Sequence, residues 1–497
     1  MNHVSIRNYL LAAAVCAAVG TPAGAQDLVL EEVIVTAQKR VESLAETPMT
    51  VNVLSGEQIA ETATFTFNDL GNLTAGLTIF GSAFDTDIGT RGLGTDLNGP
   101  VTPRVTVYLD GAYISQQRAL FSAIYDMSQV ELLRGPQGTL YGQASPAGAV
   151  ILQSQNPNLE QWDGRIQQSF TDRKGANTQI GVSIPLIKNQ LGIRVAGLYD
   201  TNEATDVTNI TQGKDLERET TAYRIVALWE PTDNFNLRFA YHDIDEEGDI
   251  DTVVKGSGLK FDDRISVGDF DSTMEGDTDY AILEMNYSFG DTMTATFVGS
   301  YQDNILQRDW DGDSSEVQGQ EQFVLSDVTS MKNYEIRLAS QGNNFWDWTI
   351  GGYYQDAPSQ TPVVVQTFTA VGGGFVTQTE TTGPAILDSQ YYGLFSHNTL
   401  YLSENGTLTV GLRYIEEDRD NSQTFVSITD LIEPFFLPEV DVRSQDGVAP
   451  EDQQTTDDAV TGTLKYQYQF TDDFMAYASY DRGWRGGTSN IAGAPQP

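Results

Sequence analysis

Histidine and cysteine are nearly missing from this chain of 497 residues, which has three His and one Cys. So few soft ligands and nucleophiles leave almost nothing for a zinc centre or a Cys/His dyad. Basic residues are scarce too. With 28 Lys+Arg against 69 Asp+Glu the formal net charge is -41, which repels phosphate backbones and argues against a nucleic-acid partner. No stretch reaches the ~20 consecutive apolar residues of a spanning helix. The longest candidate is the short run from Tyr9 to Val19. What the chain does have is glycine and aromatic residues, 46 Gly, 22 Tyr, 22 Phe and 6 Trp, and a hydrophobic share of 40%. That is enough apolar material for a large fold and excludes wholesale disorder.

Residues 1–25 read as a signal peptide. Arg7 precedes the apolar run, and Ala23-Gly24-Ala25 supplies small residues for cleavage before Gln26. Cys16 lies inside the apolar core and would be lost, leaving the exported chain without cysteine. His242 and His397 would remain, read as strand residues and not as ligands. Residues 26–45 hold a short β-favouring run, Leu30 to Ala37, suited either to a first strand or to pairing with a foreign sheet edge.

From residue 46 to 157 the pattern is that of a small α+β domain. Ser55 with Gln58 fits a helix cap, and Phe67 to Leu73 reads as a second short helix. Val105 to Leu109 alternates and turns at Asp110-Gly111, a hairpin signal. Val130-Glu131-Leu132-Leu133 and Ala149-Val150-Ile151-Leu152 are further strands.

From 158 to 497 long alternating segments take over. Leu283, Met285, Tyr287 and Phe289 interleave with Glu284, Asn286 and Ser288, and similar patterns run through Leu408 to Tyr414 and Leu464 to Phe470. Period-2 alternation suits a soluble sandwich as well as a membrane barrel. Connection lengths separate the two. Tight turns at Pro231 to Asn234, Gly290-Asp291, Glu404 to Gly406 and Thr471 to Asp473 alternate with long connections from Glu247 to Asp277, Pro358 to Leu387 and Asp418 to Asp457. Short turns at one end and long loops at the other describe an outer-membrane barrel. Trp229, Phe235, Phe289, Phe345, Trp346, Trp348, Phe470 and Phe474 would form its interfacial girdle. The acidic runs Asp243 to Asp251 and Asp309 to Asp313 lack the full calcium-loop pattern and read as solvated loops, as does Gly372 to Gly374.

These segments resemble the TonB-dependent receptor family of Gram-negative outer membranes. Glu31-Glu32-Val33-Ile34-Val35-Thr36-Ala37 looks like its TonB box. Arg91-Gly92, Val107 to Gly111 and the run Val130-Glu131-Leu132-Leu133-Arg134-Gly135-Pro136-Gln137-Gly138-Thr139-Leu140-Tyr141-Gly142 look like plug-domain signatures. Weaker barrel echoes are Tyr334 to Leu338, Gly411 to Tyr414 and Tyr477 to Trp484. The chain departs from the family where Ala75-Gly76 stands for Pro-Gly, and at Gln143-Ala144 and Ala147-Gly148.

The resemblance implies a mainly β protein, a small α+β plug domain inside an antiparallel transmembrane β-barrel. It implies active transport across the outer membrane, with the TonB protein and its inner-membrane energising complex as partner, outer-membrane lipid and lipopolysaccharide around the barrel, and an iron chelate such as a ferric siderophore as ligand. Cobalamin, haem and oligosaccharides are the family's other ligands; a passive porin and a secreted glycan-binding β protein are readings of a different class. No catalytic constellation, resident cofactor or metal site is expected. Arg91 and Arg134 fall where the family places plug arginines that pair with barrel glutamates, with Glu335 the expected partner and Glu284 a second candidate. The family barrel has 22 strands, and about 13 are represented here, so the resemblance also carries the expectation that the barrel is incomplete at the C-terminal end.

Overall fold

The computed structural model describes residues 34–486 except 37, 41, 45–46, 82–85, 96–102, 116–122, 144, 172–173, 251–263, 312–320, 343–344, 373–374, 424–425, 433–452 and 472–473. The signal segment and Glu31, Glu32, Val33 and Ala37 of the β-favouring run lie outside the described residues, as do Gly373 and Gly374.

The first element is a two-strand hairpin, β1 (Ile34–Val35) against β2 (Glu42–Ser43). A compact α+β unit follows. Strand β3 (Val51–Ser55) runs into α1 (Gly56–Glu61), where the Gln58 amide donates to Ser55 Oγ at 3.2 Å and the Ser55 amide to Gln58 Oε1 at 3.0 Å, the reciprocal cap expected from sequence. Helix α2 (Phe67–Leu73) is capped in the same way by Thr66 and Asp69, and turns Phe67 and Leu70 inward. A small sheet of β4 (Leu77–Gly81), β5 (Thr86–Thr90) and β6 (Leu93–Thr95) comes next. The central sheet is then completed by β7 (Val105–Leu109), β8 (Ala112–Ile114), β9 (Met127–Arg134) and β10 (Gly148–Ser154), in the order β3-β9-β10-β7-β8. Only β7 and β10 are parallel in it. The β7–β8 hairpin turns on Asp110 and Gly111 at φ 49° and 86°, the left-handed pair that such a turn demands.

The rest of the chain is one 16-stranded sheet. Thirteen strands follow one another in its main path: β11 (Asp163–Phe170), β12 (Ala176–Ile187), β13 (Leu191–Asn209), β14 (Lys214–Thr232), β15 (Phe235–Asp249), β17 (Thr273–Phe289), β18 (Met293–Asp311), β19 (Glu321–Ser340), β20 (Trp346–Ala357), β22 (Phe375–Tyr401), β23 (Gly406–Gln423), β25 (Gln453–Thr471) and β26 (Phe474–Arg482). Off the path, β16 (Arg264–Ser266) pairs β13, β21 (Ser359–Gly372) pairs β19 and β22, and β24 (Val426–Ile432) pairs β22. The main-path neighbours are antiparallel, as expected, and the path strand count equals the 13 read from sequence. Among the described residues, β11 pairs only with β12 and β26 only with β25.

Alternation fixes the two faces of this wall. On β14, Ala222, Arg224 and Val226 are buried while Tyr223 and Ile225 stand exposed between them. The buried set meets the plug, whose partners come from β13 through β25, so the wall curves around it. Outward, two aromatic rows bound an apolar belt. Of the eight girdle residues, Trp229, Phe289, Phe345, Trp346, Phe470 and Phe474 are exposed near the tight turns and Phe235 and Trp348 are half-buried, and Tyr199, Tyr223, Tyr301, Tyr334 and Tyr392 mark the other edge. Trp346 and Tyr354 are eight residues apart on β20. That is roughly 27 Å along the strand, close to the ~25 Å band of a spanning barrel.

The long connections differ from the sequence reading. Much of Pro358 to Leu387 is β21 and the first half of β22, and β24 lies within Asp418 to Asp457. Val- and Thr-rich runs there pair with one another and do not stay as loop. The acidic runs are strand as well, Asp243 to Asp249 in β15 and Asp309 to Asp311 in β18. Asp243, Asp245 and Glu247 take the outward positions of β15, while Glu246 there and Asp311 of β18 are buried.

Candidate functional site

The N-terminal segment does not hang free. Val35 is fully buried, in one apolar cluster with Tyr108, Leu133, Ala149 and Ile151 of the plug sheet and Met331 and Phe395 of the wall. Ile34 next to it is 41% exposed. Thr36 is bound to the sheet through Glu131: its amide and its hydroxyl both donate to Glu131 Oε1, at 2.9 and 2.8 Å. Gln129 donates to the same oxygen at 2.7 Å, and Gln153 donates to Thr36 Oγ1 at 2.6 Å. Burial raises the Glu131 carboxyl above its ordinary value, against the hydrogen bonds from Thr36 and Gln129.

Three residues further on the segment reaches the wall. Lys39 Nζ donates to both carboxylate oxygens of Glu335, at 2.6 and 2.5 Å, and Arg337 donates to Glu335 Oε1 at 2.7 Å. Burial pulls the Lys39 ammonium down from 10.5 to about 8, with Glu335 acting in the opposite direction. Arg40 then donates to the carbonyls of Ser340 and Trp348 and to Thr349 Oγ1. The segment is therefore tied to the plug at Thr36 and to β19 and β20 at Lys39 and Arg40.

A second set of contacts seats the plug itself. Asp110 on the β7–β8 turn meets Arg238 and His242, each at 3.2 Å, and accepts from the Ser154 amide and hydroxyl. His242 in turn accepts from Arg224 Nε at 2.9 Å through Nδ1. Burial alone would raise the Asp110 carboxyl, but Arg238 and then His242 override it and hold it well below the usual carboxylate range. Asp126 binds Arg194 through two guanidinium nitrogens, a bidentate pair that burial strengthens. On the opposite side Arg413 donates to the carbonyls of Tyr141 and Gly142 and lies over the rings of Tyr353, Tyr391 and Phe395. Lys39, Asp110 and Asp126 all have positive φ, near 50°.

The pairing of Arg134 with Glu335 expected from sequence does not form. Arg134 donates to the Ala75 carbonyl inside the plug, while Glu335 is taken by Lys39 and Arg337. The reason is position: the N-terminal segment runs along β19 and puts an ammonium on Glu335. Arg91, at φ 53°, lies beside Arg134 around Gly135, and both border a small cavity with His397 and Lys465. Glu284 accepts from Asn286 at 2.7 Å and faces Gly111 of the plug turn. Sequence reasoning missed Lys39, Asp110, Asp126 and Glu131 as anchoring groups. A charged residue inside an otherwise apolar strand, Val130-Glu131-Leu132, was the available signal for Glu131. Among the described residues no group of three or more His, Cys, Asp or Glu is arranged to hold a metal ion.

Comparison with known proteins gives two family profiles. The TonB-dependent receptor plug domain matches residues 43–149, and the TonB-dependent receptor-like β-barrel matches residues 246–496. The pesticin receptor of Yersinia pestis is 23% identical over 92% of this chain, and the ferrioxamine receptor of Yersinia enterocolitica 21% identical over 90%. The crystal structure of the ferric yersiniabactin uptake receptor of Yersinia pestis superposes with a TM-score of 0.72 over 87% of this chain, at 21% identity. The chain spans 64%, 62% and 64% of the length of these three relatives, respectively.

Proposed function

Because the chain belongs to the TonB-dependent receptor family, we infer that it takes up a scarce iron chelate across the Gram-negative outer membrane, driven by TonB and its inner-membrane energising complex. The observation that carries this reading is the doubly anchored N-terminal segment. Its β1 strand leaves Ile34 exposed beside a plug that fills the wall. An outer membrane has no nucleotide energy source, so import against a gradient needs a mechanical link from the periplasm. Strand addition provides one, because a row of backbone hydrogen bonds shares the load. The ligand class is supported by the relatives, named as receptors for pesticin, ferrioxamine and ferric yersiniabactin. Outer-membrane lipid and lipopolysaccharide are the surroundings of the aromatic-bounded belt, and no enzymatic step is part of this reading.

Two experiments test it. A strain lacking the gene is grown on a panel of ferric siderophores, cobalamin and oligosaccharides; a growth defect confined to iron chelates supports the reading, and one confined to a glycan or cobalamin replaces the ligand class. Ile34→Pro removes a backbone donor and is expected to abolish uptake while surface binding of the chelate is unchanged. Normal uptake by that variant would remove the segment from the coupling role.

A further inference from the structure

Arginine and lysine are the scarce charges of this chain, 28 against 69 acidic residues, yet four of them border one cavity. Arg91 and Arg134 of the plug, Lys465 of β25 and Arg482 of β26 line a space of about 110 Å³ between plug and wall. Among the described residues that line it, the one carboxylate is Asp481, which accepts from Thr463. None of the four bases forms an ion pair among the described residues. Lys465 is 8% exposed, and Arg134 Nε is buried without a hydrogen-bond partner. Charges taken out of water are ordinarily compensated, because an uncompensated one is costly. His397 of β22 adds a further polar group. It is 7% exposed, lines the same cavity and has no hydrogen-bond partner at either ring nitrogen. The donors are also held in place. Thr461 donates to the Gly138 carbonyl at 2.7 Å, and Arg413 donates to those of Tyr141 and Gly142, so the plug loop beside the cavity is clamped to the wall.

We propose that this cavity binds a small tetrahedral oxyanion, phosphate or sulfate, held by Arg91 and Arg134 from the plug and by His397 and Lys465 from the wall. The ion stands in for the barrel carboxylate expected from sequence, since Glu335 is taken by Lys39 and Arg337. A planar guanidinium matches two oxygens of such an ion, and an imidazole N–H and an ammonium reach the others. A carboxylate, with two oxygens in one plane, serves donors on one side better than donors on both. The donors come from the plug and from the inner side of the wall, away from the outward belt, so the ligand is a free ion and not a lipid headgroup. Bound there, it joins plug to wall on the side where Arg134 lacks its glutamate.

Equilibrium dialysis of the full chain in detergent micelles against radiolabelled inorganic phosphate, in chloride buffer at constant ionic strength, tests the site. A single saturable class of binding is expected, displaced by sulfate. Arg91→Gln and Lys465→Gln, one from each side, should each weaken it about tenfold or more. Arg165→Gln, which removes a base at an exposed position of β11, should leave it unchanged. Ser479 also lines the cavity. Ser479→Glu places a resident carboxylate there and should abolish phosphate binding, while giving the plug, without phosphate, the protease resistance that the parent gains on adding it. Absence of saturable binding overturns the proposal, as does binding that survives Arg91→Gln and Lys465→Gln or falls equally with Arg165→Gln. Should either glutamine variant fail to fold, Ser479→Glu decides, and unchanged phosphate binding in it overturns the site. No TonB or iron chelate takes part, so this outcome is independent of the uptake reading.

Discussion

Lys39 sits buried against Glu335 with its ammonium lowered from 10.5 to about 8. A docked group with a depressed pKa binds fewer protons than the same group released into water. Between pH 8 and 10.5 the released segment therefore holds more protons, and docking strengthens as pH rises through that window, staying flat below it. Protease cleavage within the N-terminal segment should slow between pH 8 and 10, and Lys39→Arg, charged throughout, should abolish that slowing. Asp110 behaves in the opposite sense. Held below its ordinary value, it contributes stability above pH ~4 that is lost as pH falls. Removing it leaves Arg238 and His242 buried without their carboxylate, so Asp110→Ala is expected to cost about 3–5 kcal/mol. Glu160→Ala, at an exposed position, should be neutral. Thermal unfolding of the plug, followed by its protease resistance, compares the two.

Elements legible in sequence were those whose instructions are local. The cap at Ser55, the short helix from Phe67 to Leu73, the Asp110-Gly111 turn and the alternating strands each depend on residues within a few positions, and they stand where expected. Contacts between elements far apart in sequence were not legible. Lys39 and Glu335 are 296 residues apart, and no spacing rule reports such a pair. The family resemblance supplied Arg134 as partner, but it could not see that the N-terminal segment runs along β19. Packing between elements also reverses local preference at α1. Alanine is the better helix former there by ~1 kcal/mol, yet a Cβ on Gly56 would collide with the Met127 carbonyl of β9. Gly56→Ala is therefore expected to lower plug stability by about 1–3 kcal/mol, pushing α1 off the sheet. A gain in thermal stability would mean that α1 can move away from β9 without loss.

At the scale of the whole molecule the question is which solvent the outward face meets. Outward-facing Ile336 and Leu394 stand 65% and 67% exposed two residues from the tyrosine row, and Ile350 on β20 stands 48% exposed four residues from both Trp346 and Tyr354, midway between the two aromatic rows. On a soluble sandwich such residues would be a liability, and a charge there would be neutral or beneficial. In lipid the sign reverses, since an arginine at the midplane of a spanning barrel costs about 2–4 kcal/mol and one near the interface about 0–1 kcal/mol. Ile350→Arg should therefore destabilise the folded chain in vesicles by the larger amount. Glu247→Arg, also outward but beyond the tyrosine row on β15, should have little effect. Both positions lie on the wall's outward side and away from the plug, so neither change disturbs the seat, and the difference between them isolates depth. Urea titration in lipid vesicles, read by heat-modifiable gel mobility, measures that difference; equal effects at the two positions would place the belt in water and remove the basis for a membrane-spanning wall.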